Sequence, residues 1–571
     1  HGRVKVKTTA QQEEEKRKER EKKLKVYVAA RDRKDGVFDD EALQLTQQLL
    51  SANPDFATLW NYRREILTHL EDEDEAQKIY EAELSFLESC LKVNPKSYGS
   101  WHHRGWVSAR LPRPDWAREL RLCDRCLSLD DRNHCWDYRR MVVKMSSVPV
   151  KQELEFTDRL IGSNFSNYSS WHYRSTLLPL LHPGSPEPPP SRCDGDPPHS
   201  CSPPSPQTHF HRVCEEQLLK YELVQNAFFT DPNDQSAWFY YRWLLGRERE
   251  EMISCAYVSR EQERVAVAFS RPVNAQSGSL LLVLDGQPQR VEWRSVHPHF
   301  KHSPVWICDL PPGTISDIAN EHNLTVHWTE KHTHRDCALY TRSESWCRDT
   351  ATDLELFSEL SVEKTSVLQS ELQSVNQLQE LEPLNKCLLT IILLMRALDP
   401  LGYEKETLAH FQTLKQEVDS MRSAYYSDLC SKFMIENTIL KMEYAEVRVF
   451  SISDRQNLTT LCHLDQLLLV THINLSSNQL RRLPPQFAML QCLEVVEADN
   501  NSIENLEGVY HLPKLEEVSL KNNISTLADL QPLASCPKLR RLDLRGNPVT
   551  QTANVESELA ELLPSVADLL L

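Results

Sequence analysis

The sequence lacks an apolar run long enough to cross a bilayer. Its densest apolar stretch, Cys387–Met395, is far shorter than the roughly 20 residues that a membrane-spanning helix needs. It opens without a secretory signal, so we expect its 16 cysteines to be free thiols in the reducing cytoplasm. Positive charge is in deficit: 65 lysines and arginines face 82 acidic residues, and the formal net charge of −17 at pH 7 argues against nucleic-acid binding by the chain as a whole.

Self-contained catalytic motifs are missing as well. The chain has no P-loop, no dinucleotide-binding glycine fingerprint, no nucleophile elbow and no HExxH zinc helix. Its 571 residues are too many for one core, and a hydrophobic content of 40% with 26% charged residues is ordinary for a globular protein. We therefore expect several domains, and any argument for catalysis has to be indirect.

A tryptophan followed three residues later by an arginine recurs through the first half of the chain. The copies are Trp60/Arg63, Trp101/Arg104, Trp136/Arg139 and Trp171/Arg174, with a looser fifth copy at Trp238. Successive tryptophans are 41, 35, 35 and 67 residues apart, and a proline-rich stretch, predicted to be a flexible loop at 183–206, lies in the last gap. This period is typical of stacked helix pairs, in which we expect these residues to set packing and register.

An asparagine or aspartate stands about six residues before three of these tryptophans, at Asn94, Asp130 and Asp231. Such residues cap helix starts, so we expect each to open the helix that carries the tryptophan. The stretches Glu81–Val93 and Arg118–Leu129 have apolar residues at helical spacing and are predicted to form the preceding helices.

From about Glu251 the helical period gives way to short alternating segments separated by turn signals such as Asp285-Gly286. A β-sandwich is the expected fold for so many short strands. The predicted strands are Arg264–Val273, Ser279–Leu284, Arg290–Val296, Pro304–Asp309, Asn323–Trp328 and Asp336–Thr341. Helical patterns return at 350–445, where Asn385–Leu398 is strongly apolar, so the sandwich is predicted to be an insertion in the helical domain.

The end of the chain follows a leucine-rich template with an asparagine at each turn. Asn478, Asn501, Asn523 and Asn547 are 23, 22 and 24 residues apart, and a degenerate first copy, Val447–Leu458, carries Arg455 instead. We expect each asparagine amide to bind backbone groups between coils. Both a protein-binding surface and a purely structural end-cap fit this region.

Three features could hold a metal ion. His1 offers an imidazole beside an α-amine, Cys123-x-x-Cys126 has no second pair at zinc-site spacing, and the proline-rich region has scattered ligands. The spacings in that region match no standard zinc finger, and we expect Cys123 and Cys126 to be structural. The scattered residues are Cys193, His199, Cys201, His209, His211 and Cys214.

The run Asn94–Arg104, read as NPKSYGSWHHR, resembles the second repeat of protein prenyltransferase α subunits. With the β-rich insert and the leucine-rich end, the whole chain is similar to the α subunits of Rab geranylgeranyltransferases. The resemblance implies a multidomain fold: an α-helical hairpin solenoid interrupted by an immunoglobulin-like β-sandwich, followed by leucine-rich repeats. The implied boundaries are 1–247 and 348–445 for the helical domain, 248–347 for the insert and 446–571 for the repeats.

The resemblance also implies an activity. Together with a catalytic β subunit that holds zinc, the chain would transfer geranylgeranyl from geranylgeranyl diphosphate to C-terminal cysteines of Rab GTPases presented by an escort protein. Lys96 matches the family lysine near the diphosphate, and Tyr98 matches a tyrosine that donates a hydrogen bond there. Asn133 and His103 are placed on the same side of the substrate.

Two alternatives remain open at this point. One is the α subunit of a farnesyl or type I geranylgeranyl transferase, which resembles only the helical part. The other is a non-enzymatic scaffold of helical and leucine-rich repeats, which the periodicity alone fits equally well. The segment Lys96–Arg104 favours a transferase, because a scaffold has no need of these residues.

Overall fold

The structure is a computed structural model that describes residues 17, 37–70, 75–130, 134–181, 221–246, 252–275, 279–330, 333–339, 342–348, 360, 365–442, 448–453, 457–524, 526–552 and 554–571. The predictions made at His1, Asn133, Arg455 and throughout the proline-rich region lie outside these residues. The chain divides into two compact units: the described residues up to Leu181 with 221–241, and those from Arg242 onward.

The first unit consists of antiparallel helix pairs, as the tryptophan period predicts. Leu50, Tyr80, Leu87 and Val107 join the tryptophans in its core. The helices are α1 Asp40–Ala52, α2 Ala57–His69, α3 Ala76–Val93, α4 Tyr98–Arg110, α5 Trp116–Leu129, α6 Trp136–Ser146, α7 Val150–Ser163, α8 Tyr168–Leu181, α9 Tyr221–Thr230 and α10 Gln235–Leu245, which continues into the second unit.

The residues that cap the tryptophan helices differ from the prediction. Asn94 is the C-cap of α3. Its side-chain oxygen accepts a hydrogen bond from the Lys96 amide at 3.1 Å, and this bond closes a turn. The N-cap of α4 is Ser97, whose hydroxyl accepts the Ser100 amide at 3.3 Å. The predicted N-cap at Asn94 is therefore wrong, and so is the one at Asp130, which is the C-cap of α5. The short polar side chain of Asn94 stabilises the turn before the helix, because an asparagine beside a proline favours an Asx turn.

The second unit begins with the inserted β-sandwich. Its strands are β1 Ile253–Ser259, β2 Arg264–Val273, β3 Leu280–Leu284, β4 Gln287–Gln289, β5 Arg294–Ser295, β6 Ser303–Asp309, β7 His322–Trp328, β8 Thr333–Leu339 and β9 Glu344–Arg348. One antiparallel sheet has the order β5-β6-β2-β1-β9 and the other β4-β3-β7-β8, with Phe269, Trp306 and Trp328 in the core between them.

Helices return after the insert, as expected. The apolar stretch Asn385–Leu398 is one of them, with Cys387 fully buried. The helices are α11 Thr365–Leu381, α12 Asn385–Leu398, α13 Glu404–Thr413 and α14 Ser423–Leu440.

The leucine-rich end forms a parallel sheet, and its strands pair in sequence order. Asparagines link neighbouring coils as predicted: Asn501 accepts the Leu480 amide at 3.0 Å and donates to the carbonyl oxygens of Leu475 and Ala498. Asn478, Asn523 and Asn547 make equivalent bonds. The elements are β10 Val449–Ser451, β11 His472–Asn474, β12 Val495–Glu497, β13 Glu517–Ser519, β14 Arg541–Asp543, α15 Val555–Leu562 and β15 Asp568–Leu570.

The sandwich packs directly on the leucine-rich coils within this unit. Tyr257 and Ala266, on the outer face of the larger sheet, share a buried cluster with the leucines of the coils. Beside them, the Glu344 carboxylate binds Arg448 Nη2 at 2.6 Å and Lys514 Nζ at 2.5 Å. Strand β1 is consequently buried on both faces.

No helix in the described part of the chain is both long and apolar enough to span a membrane.

Candidate functional site

In four of the repeats the tryptophan is anchored in the turn that precedes its helix. The indole Nε1 donates to the carbonyl oxygen six residues earlier. The bonds are 2.7 Å for Trp60, 2.8 Å for Trp101, 2.8 Å for Trp171 and 3.0 Å for Trp238. These rings and that of Trp136 are buried. Because the polar atom of a buried indole is satisfied, each tryptophan can fix the angle between turn and helix without a desolvation penalty.

The arginine of each of the first three repeats binds a carboxylate from the next repeat. Both oxygens accept, in a bidentate geometry that suits the planar guanidinium. Arg63 binds Glu83 at 2.6 and 2.7 Å, Arg104 binds Glu119 at 2.7 and 2.8 Å, and Arg139 binds Glu153 at 2.9 and 2.7 Å. Arg174 instead binds Asp158 of its own repeat, at 2.5 Å.

Two of these glutamates also bind the side chain two residues after the tryptophan of their own repeat. His103 Nε2 lies 2.8 Å from Glu83 Oε1, and the Tyr138 hydroxyl donates to Glu119 Oε2 at 2.6 Å. Tyr173 holds the corresponding position in the next repeat, where burial and the charge of Glu153 raise its pKa. We call the two sets Arg63–Glu83–His103 and Arg104–Glu119–Tyr138 the acid clamps, because each carboxylate is held from two repeats.

The protonation states follow from the surroundings of each group. Burial by itself raises the pKa of the Glu83 carboxyl, but Arg63 and the His103 hydrogen bond outweigh it and hold that pKa at about 2. Burial lowers the pKa of His103, so a neutral imidazole donates Nε2–H to the Glu83 carboxylate. Burial and the neighbouring carboxylate raise the pKa of Tyr138. The Arg63–Glu83–His103 clamp therefore holds one cation, one anion and one neutral donor.

His103 occupies the same position in its repeat as Tyr138 and Tyr173. Its ring is fully buried and stacks on Trp106 with ring centroids 5.5 Å apart. In this structure it offers no surface to a ligand, and its contacts are those of a clamp residue. The predicted contact between His103 and a substrate stays a prediction.

Sequence reasoning missed the glutamates that bind the repeat arginines, although their signal is present. Glu83, Glu119 and Glu153 are 36 and 34 residues apart, which is close to the tryptophan period. Charged residues are common on solvated helix faces, and for that reason this recurrence did not stand out. A buried arginine that recurs in a repeat needs a recurring acid, and a search for one at that period would have found them.

We predict that Glu83 makes the first unit sensitive to acid. Its folded pKa of about 2 lies below the ordinary 4.5, so its contribution is fully present above pH 4.5 and is lost as the pH falls toward 2. The Glu83→Gln variant should lack this dependence, so its stability deficit relative to the natural chain should shrink by about 3 kcal/mol across that window. Urea-induced loss of helical circular dichroism at several pH values measures it.

Glu81→Gln is the matched control, because Glu81 lies on the same helix but is exposed. Its deficit should be small at every pH. If the stabilities of the Glu83→Gln variant and the natural chain fell in parallel as the pH decreases, the lowered pKa of Glu83 would be contradicted.

Lys96 and Tyr98 lie on the surface of the same repeat, at the turn between α3 and α4. Lys96 Nζ is 3.1 Å from Asp130 Oδ2, and both side chains are about half exposed, at 49% and 40%. The Tyr98 ring is 67% exposed and stacks on His134, with centroids 4.0 Å apart and planes inclined by 25°. The next repeat thus orients both side chains, while the ammonium and the phenol remain open to solvent.

Comparison with known proteins shows where the chain belongs. It is 56% identical over 587 aligned residues to the geranylgeranyl transferase type-2 subunit alpha of Bos taurus, and the alignment covers 100% of both chains. This chain belongs to the geranylgeranyl transferase type-2 subunit alpha family. The human member of this family is 55% identical over the same length, and the Saccharomyces cerevisiae member is 33% identical over 37% of this chain and 61% of its own.

Family models divide the sequence in the same way. The protein prenyltransferase alpha subunit repeat matches 39–70, 80–111, 150–181 and 221–248. The insert domain of the Rab geranylgeranyl transferase alpha subunit matches 253–351, and a leucine-rich repeat matches 426–569. The predicted family is confirmed, and neither alternative is favoured. The match to the insert domain counts against the farnesyl or type I alternative in particular, because that subunit resembles only the helical part.

Proposed function

We propose that this chain is the alpha subunit of a heterodimeric enzyme that transfers geranylgeranyl from geranylgeranyl diphosphate to C-terminal cysteines of Rab GTPases. A β subunit would complete the enzyme in the cytoplasm, and an escort protein would present the Rab protein. Full-length similarity to proteins named for this activity supports the proposal.

The observation that carries the proposal is the exposure of Lys96 and Tyr98. Three residues of the segment Lys96–Arg104 are buried, and their contacts explain them as packing residues: Trp101, His103 and Arg104. Packing does not explain Lys96 and Tyr98, whose polar atoms face solvent. A cation and a phenol on one turn can bind a diphosphate oxygen.

In the proposed reaction, the bond between C1 of the geranylgeranyl group and the diphosphate oxygen breaks as a cysteine sulfur attacks C1. Negative charge then grows on the leaving diphosphate, and the Lys96 ammonium and the Tyr98 hydroxyl would stabilise it. The ion pair between Lys96 and Asp130 is solvent-exposed and therefore weak, so Lys96 can exchange Asp130 for a diphosphate at little cost.

We assign zinc to the partner subunit, where it would hold the acceptor cysteine as a thiolate. Among the described residues of the first unit, no three histidine, cysteine or carboxylate side chains converge on one point. The Lys96 ammonium and the Tyr98 hydroxyl are hydrogen-bond donors, which suit an anion rather than a metal. The proposal therefore requires two chains for activity.

Co-expression with a zinc-binding β subunit tests the proposal. We expect a heterodimer that transfers labelled geranylgeranyl to a Rab GTPase only when the escort protein is present. Farnesyl diphosphate as donor and a short C-terminal peptide as acceptor are the controls, and both should react poorly. Efficient peptide modification without the escort would support the farnesyl or type I alternative, and the absence of any complex would support the scaffold.

A further inference from the structure

Two histidines lie close together on the insert, in the turn between β5 and β6. His297 and His299 flank Pro298, and their ring centroids are 4.8 Å apart. His297 is only 3% exposed, and its ring packs against Tyr510 of the leucine-rich coils with centroids 5.1 Å apart. The backbone is held as well, because the His297 carbonyl accepts the Ser295 hydroxyl at 2.9 Å and the Phe300 amide at 3.1 Å.

A carboxylate from the leucine-rich coils meets this pair. Glu507 Oε1 lies 3.3 Å from His299 Nδ1. The Glu507 backbone is fixed, since its amide donates to Asn505 Oδ1 at 2.8 Å. Gly508 follows in a place where any side chain would clash, because an added Cβ would lie 1.9 Å from the Pro484 carbonyl oxygen. The glutamate is thus presented from a rigid turn.

One donor atom from each of the three side chains lies within 4.8 Å of the others. Donors at about 2.0–2.1 Å from a tetrahedral zinc ion are separated by roughly 3.3–3.4 Å. The His299–Glu507 distance already has this value, and the donor of His297 lies within 4.8 Å of both. Two imidazoles and one carboxylate, with a fourth position open to water, are a ligand set that zinc accepts.

We propose that His297, His299 and Glu507 form a binding site for a divalent transition-metal ion of the zinc class. The ion would join the β-sandwich to the leucine-rich coils beside the apolar contact that the two already share. The ion pair between His299 and Glu507 supplies two of the three donors, and the packing of His297 on Tyr510 fixes the second imidazole beside them.

Zinc titration of the full-length chain, purified metal-free without a β subunit and kept reduced, tests the proposal. The natural chain is compared by calorimetry with His299→Ala and Glu507→Gln. Both positions are partly exposed, at 70% and 42%, so the variants should fold. His302→Ala is the matched control, since His302 is an exposed histidine of the same turn outside the cluster.

We expect the natural chain and His302→Ala to bind one equivalent of Zn²⁺ that both cluster variants bind at least about tenfold more weakly. Zinc bound by cysteine thiols is common to all four proteins and cancels in the comparison. Addition of Zn²⁺ should also raise the melting temperature of the natural chain and of the control more than that of the variants. Equal affinity and stoichiometry in all four proteins would overturn the proposal, as would Zn²⁺ binding that His302→Ala also loses.

Discussion

Replacement of Lys96 by alanine is expected to lower turnover of the assembled heterodimer by about 100- to 1,000-fold. The ammonium is exposed and would meet charge that develops only as the bond to the diphosphate breaks, so its loss should reduce kcat more than it raises KM. The ion pair to Asp130 that disappears is a surface pair and contributes at most about 1 kcal/mol to stability. Folding and assembly should therefore survive the change.

Single-turnover transfer of labelled geranylgeranyl, measured with saturating substrates, gives the size of the effect. Lys92→Ala is the matched control, because Lys92 is an exposed lysine at the end of α3 that lies outside the segment Lys96–Arg104. Lys96→Arg keeps the positive charge and should retain part of the activity. Normal turnover in Lys96→Ala would end the diphosphate assignment, and loss of the heterodimer would make Lys96 an interface residue.

Replacement of Arg104 by alanine should destabilise the helical repeats by about 3–5 kcal/mol. Arg104 is completely buried and its guanidinium binds both oxygens of Glu119 and the Leu84 carbonyl oxygen. Burial lowers the pKa of Arg104, but Glu119 more than restores it, so Arg104 is fully charged. The substitution by alanine therefore removes a full positive charge. The Glu119 carboxylate then remains in the core with Tyr138 as its main donor.

Hydrogen exchange of peptides from α4 and α5 is the suitable measurement, because it reports local opening in a chain of several domains. Arg121→Ala, at an exposed arginine on α5, should change exchange little. The double variant Arg104→Met with Glu119→Leu removes both charges and should recover much of the lost protection. Unchanged exchange in Arg104→Ala would show that the clamp does not hold these helices together.

The sequence predicted what depends on local periodicity. The helix pairs around Trp60 and Trp101, the insertion of a sandwich and the asparagine links between leucine-rich coils all follow from residues at fixed spacing. Strand β1 was missed because it is buried on both faces and so lacks the alternation that marks a half-buried strand. The contact that buries it, with the leucine-rich coils, joins segments far apart in the chain, and no local pattern encodes such a contact.

The candidate site was predictable only in part. Lys96 and Tyr98 were found through a resemblance, since an exposed lysine and tyrosine have no periodic signature of their own. His103 shows the limit of that route: its residue type suits a substrate contact, whereas its position two residues after Trp101 makes it the equivalent of Tyr138. Repeat position was the better guide to its environment.

The acid clamps have a mechanical consequence. Because each glutamate is gripped by side chains from two successive repeats, one repeat cannot twist against the next without breaking charge-assisted bonds in a dry interior. The first repeats should therefore form a rigid, preorganised surface rather than a flexible one. A binding partner would then meet a surface that needs no ordering, which spares the entropy that flexible surfaces lose on association.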